Sequence, residues 1–84
     1  MRKGQPMIIE IRKTEEGFDF VRVDDFGDDW DLGHANLGED GFFDGYFDTK
    51  RISFENVEQC IEVISRRKPG EIIIYTDKAD PLRK

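Results

Sequence analysis

A single stretch of the chain carries apolar residues at helical spacing. Phe54, Val57, Ile61 and Ile64 recur every three or four residues, and Cys60 extends the same stripe. Ser53 stands where an N-cap is wanted. Glu55 and Glu58 fall in the first turns and Arg66, Arg67 and Lys68 in the last, as the helix dipole favours. Pro69-Gly70 then ends the segment. One amphipathic helix cannot bury its own stripe, so the rest of the chain must supply a sheet for it to lie on.

Period-two patterns supply that sheet. Met7 to Lys13 alternates Ile9 and Ile11 with Glu10 and Arg12, and Thr14-Glu15-Glu16-Gly17 reads as a turn. On the returning strand, Phe18 to Val23, Phe18, Phe20 and Arg22 share one face while Asp19, Val21 and Val23 share the other. Asp24 to Gly41 is rich in Asp and Gly and reads as a long loop. Phe42 to Phe47 is a third strand, with Phe43 and Phe47 on one face around Gly45, where the backbone of a neighbour approaches or a bulge forms. Glu71 to Thr76 is apolar on both faces, which places it in the middle of the sheet. The expected fold class is α+β: a small antiparallel sheet with one helix packed on a face, in the order β-β-(acidic loop)-β-α-β.

With 84 residues the chain makes one domain, able to bury roughly 60–65% of its unfolded surface. Residues 1–6 and 77–84 are expected to be flexible tails. Seven Phe residues must provide much of the core volume. No run approaches the roughly 20 apolar residues of a membrane span. Met1-Arg2-Lys3 is basic, but Met7-Ile8-Ile9 is far too short for a signal peptide's apolar region. With Cys60 the lone cysteine, the expected compartment is the cytoplasm. Either Met1 or Met7 can serve as the start.

The net charge of -6 is unevenly spread. Asp24, Asp25, Asp28, Asp29, Asp31, Glu39, Asp40, Asp44 and Asp48 lie in one span without a Lys or Arg. The other ten carboxylates share the rest of the chain with all thirteen basic residues.

Catalytic machinery is not expected. A nucleophile needs a positioned base, and the only candidates are Cys60, on the helix's apolar stripe, and His34, expected to be solvated between Gly33 and Ala35. Phosphate-cradling loops are missing, and so short a chain has little room for a cleft between two carboxylates. No cofactor is implied. A divalent-cation module of the Ca²⁺ type is an alternative, because five carboxylates lie between Asp24 and Asp31. Their spacing departs from the EF-hand loop. A small adaptor or subunit of a larger assembly is the other alternative.

The aromatics interleaved with the acids favour a third class. Phe26, Trp30, Phe42, Phe43, Tyr46 and Phe47 share the acidic span, and exposed rings beside charges are the anatomy of an interface anchor with a polar rim. Nucleic-acid grooves combine Lys and Arg with platforms for bases; carboxylates can stand in for phosphates and rings for bases. The expected function is therefore a non-enzymatic inhibitor that occupies the basic nucleic-acid-binding site of a protein partner. Asp24, Asp25, Asp28, Asp29, Trp30, Asp31, Glu39, Asp40 and Asp44 would form the contact. Direct binding of nucleic acid or membrane is not expected. In size and acidity the chain resembles the small inhibitors encoded by phages and mobile elements, DNA mimics and anti-CRISPR proteins among them; the resemblance is one of type, carried by no motif.

Overall fold

The computed structural model describes residues 7–77; the expected tails lie outside the described residues, except for Asp77. Six strands and one helix follow one another as β1 (Ile8–Lys13), β2 (Gly17–Val23), β3 (Asp29–Leu37), β4 (Phe43–Phe47), β5 (Lys50–Phe54), α1 (Val57–Arg67) and β6 (Ile72–Thr76). They form one sheet in the order β5-β4-β3-β2-β1-β6. The first five strands are an antiparallel meander, whereas β6 runs parallel to β1. The fold is thus α+β, with a mixed sheet rather than a purely antiparallel one. Because β5 and β6 are opposite edges, the β5–α1–β6 connection carries the helix across one face.

That face holds the core. Ile9 and Ile11 of β1, Phe18 and Phe20 of β2, Ala35 of β3, Phe47 of β4 and Ile52 and Phe54 of β5 are buried against Cys60 and Ile64 of the helix. Large and small residues alternate across the strands. Phe20, Gly33 and Phe47 are register partners in one row, and the two rings meet edge to face, their centroids 5.5 Å apart. In the next row Phe18 precedes Ala35, Gly45 and Ile52. A β-carbon on Gly45 would run into the carbonyl of His34 and the α-carbon of Ala35, so the close approach expected at Gly45 is present.

Three expectations need correction. Residues 24–41 are not a continuous loop: turns at both ends flank β3, the longest strand, with 9 residues. Ser53 is not the N-cap, because residues 50–54 form β5; Asn56 caps the helix, its side chain accepting from the Gln59 amide at 2.9 Å. Phe54 still joins the core, but from the sheet. Finally, β6 is an edge strand, not a central one.

The β4–β5 turn is two residues long. Asp48 and Thr49 both have positive φ, 56° and 70°, the backbone of a tight hairpin whose twist matches that of the strands. Between β2 and β3 the register shifts: Phe20 pairs with Gly33 but Val21 with Asp31, leaving Leu32 as an extra residue. The Leu32 carbonyl accepts from the Asp48 amide at 2.7 Å, tying the bulge to the β4–β5 turn.

Candidate functional site

Hairpin turns in a meander alternate between the two ends of the sheet, and that separates the acidic residues. The turn at 24–28, with Asp24, Asp25 and Asp28, lies at one end. The turn at 38–42, with Glu39 and Asp40, lies at the other, roughly 27 Å away along the 9 residues of β3. Asp29 and Asp31 project from β3 near the first turn, on the face that the helix leaves open. Asp44 lies on that open face beside the second turn, opposite Asn36 and Ser53. Six of the nine expected contact residues therefore gather at one end of the sheet: Asp24, Asp25, Asp28, Asp29, Trp30 and Asp31. Glu39, Asp40 and Asp44 form a separate group.

Several of these carboxylates organise the backbone. Asp24, Asp31 and Asp40 each accept from the amide two residues further on, at Phe26, Gly33 and Phe42, over 2.9 to 3.0 Å. This is the Asx-turn, in which a short side chain substitutes for a backbone acceptor. Asp24 also takes the Asp28 amide at 2.9 Å and the Trp30 indole Nε1 at 3.0 Å. These bonds favour its ionised form: the indole contact, then the backbone amides, hold its carboxyl below the usual value of 3.8. Asp29 pairs with Arg12 at 3.1 Å, and the same guanidinium holds Glu10 at 2.6 Å.

The rings at this end remain open to solvent. Phe26 is 88% exposed at the apex of the turn, and Trp30 is 52% exposed. Trp30 is fixed on two sides, by the Asp24 carboxylate at its nitrogen and by the Arg22 guanidinium 5.7 Å from its ring centre. Arg22 is the residue that sequence reasoning left without a role. Its position on the same face as Phe18 and Phe20 was the available signal, since a charge there must find a partner beyond the apolar cluster. The second turn repeats the composition more modestly, with Phe42 39% exposed beside Asp40.

Elsewhere the open face is polar. Tyr46, His34, Asp19 and Arg12 are successive partners in one row across β4, β3, β2 and β1. Thr14, Glu15, Glu16, Asp19, His34 and Asn36 line a shallow groove. His34 and Cys60 lie on opposite sides of the sheet and cannot act as a nucleophile–base pair. Burial also pushes the Cys60 thiol up to about 12, so it stays protonated near neutrality.

No family model, curated protein or solved structure matches the chain. Among the described residues no group of three or more His, Cys, Asp or Glu side chains is placed to hold a metal ion. No described helix is long and apolar enough to cross a membrane.

Proposed function

We propose that the chain is a non-enzymatic binding module that presses its β2–β3 turn onto a basic protein surface and blocks it. The surface would be of the kind that otherwise holds nucleic-acid phosphates. One observation carries this reading: Phe26, 88% exposed, stands at the apex of a turn between Asp25 and Asp28. A solvated phenyl ring contributes nothing to the stability of the free domain, whereas an apolar anchor inside a charged rim suits a partner's pocket.

Pre-organisation supports the same reading. Asp24 secures both the turn backbone and the Trp30 indole, so fewer rotatable bonds remain to be frozen on association. Charge adds speed: an acidic tip steers toward a basic surface, and salt weakens that attraction over a screening length of about 8 Å at physiological ionic strength. Glu39, Asp40 and Asp44 would lengthen the negative surface along an extended groove. The inhibitory role shared with phage and mobile-element proteins of this size belongs to the proposal as well.

The test is a capture followed by a challenge. Immobilised protein is exposed to lysate of the organism that makes it, and the retained protein is then washed with duplex DNA, with RNA and with salt of roughly 0.5 M, where screening is nearly complete. The proposal expects nucleic acid and salt each to release the partner, and a Phe26→Ala, Trp30→Ala variant to capture little. A partner held through excess nucleic acid, or captured equally by the double variant, contradicts it.

A further inference from the structure

Beside the C-terminus of the helix, a cavity of about 280 Å³ opens between the starts of β1 and β6, the bulge of β3 and the β4–β5 turn. Met7, Ile9 and Leu32 give it apolar wall, while Arg22, Lys68, Asp48 and Glu71 bring charge. Arg22 is the group without a match. It lies on the core side of β2, with Ile9 and Trp30 as its register partners, and its Nε is shut off from water without an acceptor. The Trp30 ring stands 5.7 Å from the guanidinium carbon, but that attraction supplies no oxygen to the N–H groups.

Three carboxylates stand around this guanidinium, and each is committed elsewhere. Asp24, within its electrostatic reach, takes two turn amides and the Trp30 indole. Asp48, also within reach, holds Lys68 at 2.7 Å. Glu71, on the cavity wall, accepts the Met7 amide. A buried donor left without an acceptor is costly, and a bound group that supplies one recovers that cost.

We propose that this cavity binds a small amphipathic monocarboxylate, its carboxylate on the Arg22 guanidinium and its hydrocarbon part against Met7, Ile9 and Leu32. A carboxylate offers two oxygens in the planar arrangement that a guanidinium favours. Charge selects a monoanion. Asp48 and Glu71 share the walls, so a doubly charged phosphate would meet stronger like-charge repulsion than a single carboxylate. Volume selects a small body: at roughly 30 Å³ per water the space equals about nine waters, which limits the ligand to about ten non-hydrogen atoms.

Nuclear magnetic resonance of the full chain, titrated with benzoate to about 20 mM at fixed ionic strength, tests the proposal. Saturable shifts of the Arg22 Nε–H and of the Ile9 and Leu32 methyl signals are expected, with Kd on the order of 1 mM for so small a ligand. Benzamide keeps the shape without the charge, and inorganic phosphate keeps charge without the apolar part. Each should bind roughly tenfold more weakly, or worse. Arg22→Gln should weaken benzoate by a similar factor, whereas Arg66→Gln, which breaks only the exposed pair with Glu62, should not. The benzamide comparison uses the unaltered chain and decides the matter even where Arg22→Gln fails to fold. A full chain that shows no saturable shift overturns the proposal, including one whose own preceding residues close the cavity. Equal binding of benzamide or phosphate overturns it too, as does a benzoate affinity that Arg22→Gln keeps or Arg66→Gln loses.

Discussion

The indole nitrogen of Trp30 donates to the Asp24 carboxylate at 3.0 Å, across the mouth of the β2–β3 turn. The other oxygen of the same carboxylate accepts the Phe26 and Asp28 amides. One side chain thus sets both the path of the turn and the orientation of its flanking ring. Because the carboxyl is held below 3.8 chiefly by that indole contact, the ionised form is the one the folded turn selects. Its contribution is present above the unfolded value and is lost as pH falls through the depressed folded value.

Trp30 is the chain's single tryptophan, so its emission reads this contact directly. In the wild-type protein the emission should shift in acid with a midpoint below the ordinary carboxyl value of 3.8. Asp24→Ala should show the shifted emission at neutral pH and lose the acid transition. An identical titration in the variant would mean that the indole contact does not govern the fluorescence.

Thr49 adopts φ 70° in the two-residue β4–β5 turn, a conformation that a β-branched residue enters at a cost of roughly 1–2 kcal/mol. Thr49→Gly removes that strain, though the more flexible unfolded chain offsets part of the gain. The net expectation is a stabilisation of about 1 kcal/mol, or about 4–8 °C in thermal midpoint for a domain of this size. Calorimetry of the two proteins checks it, and a lowered midpoint would contradict the strain argument.

Asn56→Ala deletes the acceptor for the Gln59 amide and should destabilise by about 1 kcal/mol in urea titration. Ser53→Ala, at an exposed position of β5, should stay within about 0.5 kcal/mol of wild type. The reverse ranking would restore Ser53 as the cap.

That contrast also marks what the sequence made legible. The β1–β2 hairpin, the faces of β4 and the body of the helix follow from spacing alone, because each buries large apolar residues on its own element. The helix start was visible in Asn56-x-x-Gln59, a capping pattern in which the Gln59 side chain also reaches back, to the Glu55 amide. β5 was hidden by its turn: Asp48-Thr49 is neither the Asn-Gly nor the Asp-Gly pair that usually announces a two-residue hairpin. Without that signal, Phe54 fits the helical stripe as well as it fits alternation with Ile52.

The third strand was hidden for a cooperative reason. Among its 9 residues only Ala35 is fully buried. The space above Gly33 belongs to Phe20 and Phe47, which reach over it from both neighbouring strands. The strand's own apolar residues do alternate, Trp30 with Leu32 and then Ala35 with Leu37, but the phase changes at the bulge and breaks the period. Its Asp residues added to the appearance of a loop, although Asp31 supports the bulge at Gly33 and Asp24 and Asp40 shape the flanking turns.

Part of the acidity is therefore turn chemistry, and the account of binding rests on the tip that this chemistry builds. The most direct measurement is the association rate of the captured partner as a function of salt, for wild type and for Asp25→Asn, Asp28→Asn, which keep the Asp24-held turn. The account predicts a rate that falls at least roughly tenfold as salt rises, with a shallower dependence in the double variant; Phe26→Ala should mainly speed dissociation. A rate indifferent to salt, or a slope that the double variant leaves unchanged, would contradict it.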